Sequence, residues 1–172
     1  MHAQILIRPA VPADHDAIAR ITRDAYLAAG HFESADHPYM RQIQDVARRA
    51  AQATIWVAER DGAVVGSVTL AVAGEPYADI ARDDELEFRM LVVDTAVQRS
   101  GAGKAMVLAI LEHARSLPGI NAVALTTGLT WESAHGLYLK TGFQRAPERD
   151  WVVPDTDIKL LVYRQELVRT VG

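Results

Sequence analysis

The sequence predicts an α/β domain, with a mixed sheet of about seven strands and helices on both faces. Three observations carry that prediction. Strand-like and helix-like patterns follow in the order β-α-α-β-β-β-α-β-α-β-β along the 172 residues. Asp61-Gly62 lies between two alternating apolar runs, the pattern of a tight hairpin, so the strands it joins are antiparallel. A strand, a glycine-bearing turn, a helix and another strand follow between Glu85 and Thr126. That connection requires a parallel pair.

Each element has its own signal. Gln4 to Arg8 is a short apolar strand ended by Pro9 and Pro12. Asp14 stands near a helix start, Ile18, Ile21 and Ala25 recur at helical spacing, and Gly30 closes the helix. His31 to Tyr39 is polar and irregular. A second helix is expected from about Met40 to Ala51, with Ile43, Val46 and Ala47 on one face. Thr54 to Arg60 and Val64 to Val72 are the hairpin strands, Gly74 to Asp84 is a loop, and Glu85 to Val93 is the next strand. Strand alternation puts Leu86, Phe88, Met90 and Val92 on one face, and Glu87, Arg89, Leu91 and Val93 on the other. Gly101 to Ser116 is a helix with Met106, Val107, Ile110, Leu111 and Ala114 inward, stopped by Pro118-Gly119. Ala122 to Thr126 is a buried strand. Trp131 to Thr141 is a helix ended by Gly142, where a left-handed residue is wanted. Phe143 to Ala146 and Ile158 to Glu166 are the last strands.

Composition narrows the function. Nothing resembles a linker or a repeat, so residues 1–172 read as a single domain. With 49% apolar and 23% charged residues, the chain is of ordinary globular composition. It has no cysteine, which excludes disulfides, thiolate metal sites and a cysteine nucleophile. No apolar stretch approaches the roughly 20 residues of a membrane span, and the first residues lack a signal-peptide pattern. A cytoplasmic protein without membrane partners is expected. A formal charge of −4 argues against a nucleic-acid partner. The two histidines and the acids of His31 to Tyr39 match no strong ligand spacing, so no metal is expected.

The chemistry concentrates in the run from Met90 to Ala105, a strand, a turn and a helix start. Gly101 and Gly103 open that helix, where free N–H groups and the helix dipole favour an anion. Glycine lets a phosphate approach the backbone, and Arg99 and Lys104 add charge. A P-loop would need glycine at Gln98 and Ser or Thr at Ala105, so it fails twice. A dinucleotide fingerprint would need glycine at Met106 and a turn directly after the strand. The pattern that fits is Gln98-x-x-Gly101-x-Gly103. A second segment, Trp131-Glu132-Ser133-Ala134-His135-Gly136-Leu137-Tyr138-Leu139-Lys140-Thr141-Gly142-Phe143, lies on the helix after the next strand.

Together these segments resemble the two signatures of the GCN5-related N-acetyltransferase superfamily. The element order is similar from Ile5 to Leu167. The sequence departs from the family pattern in carrying Thr95 where proline is common, and Trp131 where asparagine is common. The resemblance implies an acyl-CoA N-acyltransferase fold with a splayed parallel strand pair, acetyl-CoA as co-substrate, and a small-molecule or peptide amine as acceptor. A homodimer is left open. It implies that Leu91, Val92 and Val93 present main-chain groups to the pantetheine, with the Leu91 N–H as thioester donor. Gln98, Arg99, Ser100, Gly101, Ala102, Gly103 and Lys104 would hold the pyrophosphate, and Trp131 would pack on the cofactor or line the acceptor site. It implies Tyr138 as the acid for the leaving thiolate and Glu87 as the base, directly or through water, with Glu85 in reserve. The loops 31–39 and 74–84 and the stretch 145–157 are candidate walls of the acceptor site. The competing readings are transfer of a longer acyl group, transfer to an alcohol, and a non-catalytic acyl-CoA-binding domain.

Overall fold

The computed structural model of the protein describes residues 4–30, 32, 34–97, 100–128 and 132–168. Eight strands form one mixed sheet. β1 is Leu6–Pro9, β2 Thr54–Arg60, β3 Ala63–Val72, β4 Glu85–Val93, β5 Ala122–Gly128, β6 Gln144–Arg145, β7 Trp151–Val152 and β8 Lys159–Glu166. The sheet order is β1-β2-β3-β4-β5-β8-β6, and β7 also pairs with β8. β4 and β5 are parallel; the other pairs are antiparallel. The extra strand beyond the expected seven is the two-residue β7, too short to show alternation.

Helices α1 (His15–Ala28), α2 (Pro38–Gln44) and α3 (Val46–Gln52) precede the hairpin. One helix was expected over Met40 to Ala51, and two form instead. Asp45 interrupts them with φ −80° and ψ 75°, and its side chain caps α3 by accepting the Arg48 N–H. An aspartate that caps a new helix is more stable there than inside an old one. Pro38 starts α2, so the irregular loop ends earlier than Tyr39.

Helices α4 (Ala102–Ser116) and α5 (Glu132–Lys140) cover the opposite face. The main core lies between them and the sheet. Phe88, Met106, Ile110, Leu125, Tyr138, Phe143 and Tyr163 belong to it, all at most 4% exposed. On the other face, Ile18, Val46, Ile55 and Val57 form one cluster, and Ile21, Ala25 and Val92 another. Among the described residues, no helix is long and apolar enough to cross a membrane.

The β3–β4 ladder corrects the expected alternation. Thr69 pairs with Arg89 but Ser67 pairs with Val92, so β4 carries one residue more than β3 between them. Met90 supplies the bulge, with a left-handed φ of 55°. Past it the parity reverses. Leu91 and Val93 join Leu86 and Phe88 on the α4 side, and Val92 turns toward α1. The extra residue cannot be seen in a run whose apolar pattern is continuous.

Gly66 lies opposite the far end of β4, where the layers are close. A Cβ there would stand 2.9 Å from the Met106 methyl and 3.0 Å from the Val92 carbonyl oxygen. The methyl can swing aside, but the carbonyl is held by the sheet. Gly66→Ala is therefore expected to lower stability by about 1–3 kcal/mol, read as a reduced urea midpoint at constant slope.

Candidate active site

Two strands that start as neighbours and then part create the site. The β4–β5 pairing runs from Glu85↔Ala122 to Phe88↔Leu125 and stops. β4 continues beside β3 to Val93, and β5 continues beside β8 to Gly128. Along the gap, alternate main-chain groups of both strands lack a ladder partner on the facing edge. A cavity of about 620 Å³ opens there, with Arg89, Met90 and Leu91 from β4 and Thr126, Thr127 and Gly128 from β5.

The glycine turn packs beside Leu91 and Val93 of β4, and its described residues Ser100, Gly101, Ala102, Gly103 and Lys104 do not line the cavity. Gly101 has φ 86°, which turns the chain into α4. The first-turn N–H groups of α4 lie outside the intrahelical ladder; that of Ala102 reaches Ser100 Oγ at 3.4 Å. Gly103 is packed so closely that a Cβ would meet Leu137 Cδ2 at 3.2 Å, Val93 Cγ2 at 3.8 Å and Leu91 Cδ2 at 3.9 Å. The reversed parity of β4 is what brings Leu91 and Val93 under this turn. Lys104 is exposed beside it. Val92 faces α1 and Ile21, away from the cavity. Gln98, Arg99 and Trp131 lie outside the described residues.

α5 closes the site from the side. Ala134 and Tyr138 line the cavity. The Tyr138 ring is held edge-on by Phe88 at 5.8 Å and by Phe143 at 5.9 Å, with Tyr163 at 5.8 Å. Burial raises the Tyr138 pKa above its ordinary value, and the nearby Tyr163 adds to the shift. Its hydroxyl therefore keeps its proton well into the alkaline range. His135 anchors the same helix: Nδ1 lies 2.7 Å from the Tyr163 hydroxyl and Nε2 lies 3.0 Å from the Gly128 carbonyl oxygen. A carbonyl only accepts, so Nε2 carries a proton and donates it to Gly128. Nothing in the spacing of His135 distinguished it beforehand.

The two acids of β4 have different surroundings. Glu87 is fully buried but does not line the cavity. Its Oε1 accepts the N–H groups of Ile80 and Ala81, both at 2.9 Å, and its Oε2 has no partner among the described residues. Burial pushes its pKa up, against the lowering effect of those N–H donors. Glu85 is also fully buried, but it is ion-paired with Arg149 and Arg164, each at 2.8 Å. Burial alone would raise its pKa. Hydrogen bonds from Arg149, from the Arg82 main chain and from Arg164 outweigh that and hold it at about 2.

The loop at 74–84 does not line the cavity. It covers these acids, and its Asp79 pairs with Arg89 at 2.6 Å. The other two candidate walls do reach the cavity, through Phe32, Ser34, Asp36, His37 and Tyr39 on one side and Val153 and Thr156 on the other. Arg49 of α3 had not been singled out. It stands three residues after Val46, itself three after Ile43, so an arginine falls on the inward face of its helix. That spacing was the available signal.

With this geometry in place, the sequence can be compared with known proteins. The sequence model of the acetyltransferase (GNAT) family matches residues 16–143. The chain belongs to that family. Mouse N-acetyltransferase family 8 member 7 is 30% identical over 123 residues, which cover 72% of this chain and 52% of that protein. Zebrafish N-acetylaspartate synthetase is 31% identical over 137 residues, covering 79% and 46%. The chain spans about half the length of the curated relatives it matches. Among solved structures of this fold, yncA of Salmonella typhimurium, determined with its cofactor acetyl-CoA, superposes with a TM-score of 0.68 at 20% identity, covering 98% of this chain and 96% of that one. A GNAT-family acetyltransferase of Staphylococcus aureus Mu50 reaches a TM-score of 0.73 at 15% identity, covering 96% and 100%.

The Glu85 cluster sets an acid limit on this family member. The folded pKa of Glu85, about 2, lies below the ordinary 4.5. The stability it contributes is therefore complete above about 4.5 and is lost as pH falls from there toward 2. Urea titrations from pH 6 to pH 2.5 should show that loss, and in Glu85→Gln the same curve should be flatter.

Proposed function

We propose that the chain is an acetyl-CoA-dependent N-acetyltransferase acting on a primary amine. The observation that carries the reading is the open parallel pair: a cavity lies in the gap between β4 and β5 with Tyr138 on its wall, and Gly103, in the first turn of α4, packs beside Leu91 of that wall. A nucleotide-linked thioester fits that arrangement. Its diphosphate suits the N–H groups at the start of α4, where a Cβ on Gly103 would press on Leu137 Cδ2 at 3.2 Å. Its amide-bearing arm suits the unpaired strand edges. Family membership and the acetyl-CoA in the Salmonella structure support the same choice.

Acetyl-CoA supplies an activated acyl group when bound. The residues of this chain do the rest. The Leu91 N–H is assigned to the thioester carbonyl oxygen, where negative charge grows as the amine attacks. Tyr138, protonated at any physiological pH, is assigned as proton donor to the departing sulfur. An amine of ordinary pKa is mostly cationic near neutral pH and must lose a proton before it attacks. Glu87 is assigned to take that proton through water, because its carboxylate lies beneath the 79–81 backbone and not on the cavity wall. Its raised pKa improves its match to that task. Glu85, held near 2 by two arginines, is a poor base and is assigned a structural role.

The main alternative is a domain that binds acyl-CoA without turnover; the protonated tyrosine on the cavity wall favours catalysis. Release of free thiol from acetyl-CoA, measured against a panel of amines, separates the two. Tyr138→Phe is expected to lower kcat about 10²- to 10⁴-fold while leaving acetyl-CoA affinity by calorimetry within about threefold. Unchanged turnover at every pH would remove the tyrosine from the mechanism.

A further inference from the structure

The inference concerns the acceptor and rests on the transferase reading above. Two guanidinium groups stand at β4 beside the cavity: Arg89 lines it, and Arg49, in contact with Met90 of the wall, has too few acceptors. Arg49 is 1% exposed. Its Nη1 meets Thr69 Oγ1 at 3.3 Å and the thioether of Met90, while Nε and Nη2 have no partner among the described residues. No carboxylate pairs with it among those residues. A thioether is a weak acceptor, so a buried cation is left close to unpaired. Met90, its contact, is itself part of the cavity wall. Arg89 lines the cavity directly, holding Asp79 at 2.6 Å and the Tyr77 carbonyl oxygen at 3.3 Å. Glu87, on the same strand, already spends Oε1 on two main-chain N–H groups. Tyr26 and Tyr39, with ring centroids 6.3 Å apart, line the cavity beside this polar corner.

We propose that the acceptor is an amine that also carries a carboxylate, an α-amino acid with an apolar side chain, and that Arg89, backed by Arg49, holds that carboxylate. Guanidinium groups suit a carboxylate because their planar forks match its two oxygens. The spacing favours a small molecule. Only the bulged Met90 separates Arg89 from Leu91, where the thioester is placed, so the two lie close together along β4. Amine and carboxylate therefore belong to neighbouring atoms of one compact acceptor. The aromatic rings of Phe32 and Tyr39, stacked with centroids 5.3 Å apart, offer a surface for the apolar side chain.

The test compares matched substrates with the unaltered protein. Leucine, methionine, phenylalanine and tryptophan are each assayed against their carboxamide and their decarboxylated amine, by thiol release at saturating acetyl-CoA. At least one amino acid is expected to exceed both of its carboxylate-free counterparts at least tenfold in kcat/KM. That preference should fall to about twofold or less in Arg89→Gln, mainly through KM, and should weaken in Arg49→Met. Equal or better turnover of the carboxamides or amines would overturn the proposal. So would a complete lack of amino-acid acetylation by protein that binds acetyl-CoA normally in calorimetry. Loss of acetyl-CoA binding itself would instead overturn the transferase reading. A variant that no longer binds acetyl-CoA is treated as misfolded, and the substrate comparison in the unaltered protein then decides alone.

Discussion

One constraint organises this protein: β4 and β5 are neighbours at their first four residues and cannot remain so. β5 stays in register with β8 as far as Gly128↔Leu160, while β4 stays with β3 to Val93↔Gly66. The bulge at Met90 increases the local twist of β4, so the two strands diverge. Main-chain groups stranded in the gap have lost their ladder partners, and protein packing alone does not restore them. A gap of this kind is stable when water, or an extended molecule with amides of its own, occupies it. The fold therefore keeps a strand-shaped gap between β4 and β5, with α5 along its side.

The bulge has a second consequence. Without it, Leu91 and Val93 would face α1, and nothing apolar from β4 would support the turn that opens α4. With it, their methyl groups lie within 4 Å of the position a Cβ would take on Gly103. The same inversion sends Val92 to Ile21 and Ala25, which fastens α1 to the sheet. A single left-handed residue thus links the glycine turn that opens α4 to the helix whose Tyr26 faces the cavity.

Much of this was legible in the sequence, for identifiable reasons. Asp61-Gly62 forced the hairpin, because both residues accept the positive φ such turns require. Glycines at 101 and 142 marked helix boundaries for the same reason. The two glycine-bearing segments placed α4 and α5 beside the gap. What was not legible depended on contacts between distant residues. Methionine carries no mark of a bulge, and strand alternation was simply extrapolated through it. Asp45 could have been a surface residue of one helix; only its capping bond made two. Glu87 lies on the β4 face that strand parity assigned to it. That the loop at 79–81 would fold over it and accept its side chain as a partner lay beyond any local pattern.

The buried charges show where stability and function divide. Glu85 is enclosed by two arginines and a main-chain N–H, so its desolvation is compensated at every oxygen. Such a cluster ties β4 to β8 and to the turn at 147–149, and its chemistry is finished. Glu87 and Arg49 lie near the same strand but are not satisfied: one carboxylate oxygen and two guanidinium nitrogens are buried without partners among the described residues. Orphaned groups of this kind lower stability, and a fold tolerates them where another process uses them. Neither lines the cavity: Arg49 lies against Met90 of its wall, and Glu87 lies beneath the backbone at 80–81. The placement separates the apolar, amide-matching half of the cavity, suited to a pantetheine arm, from a charged half suited to recognition and proton movement.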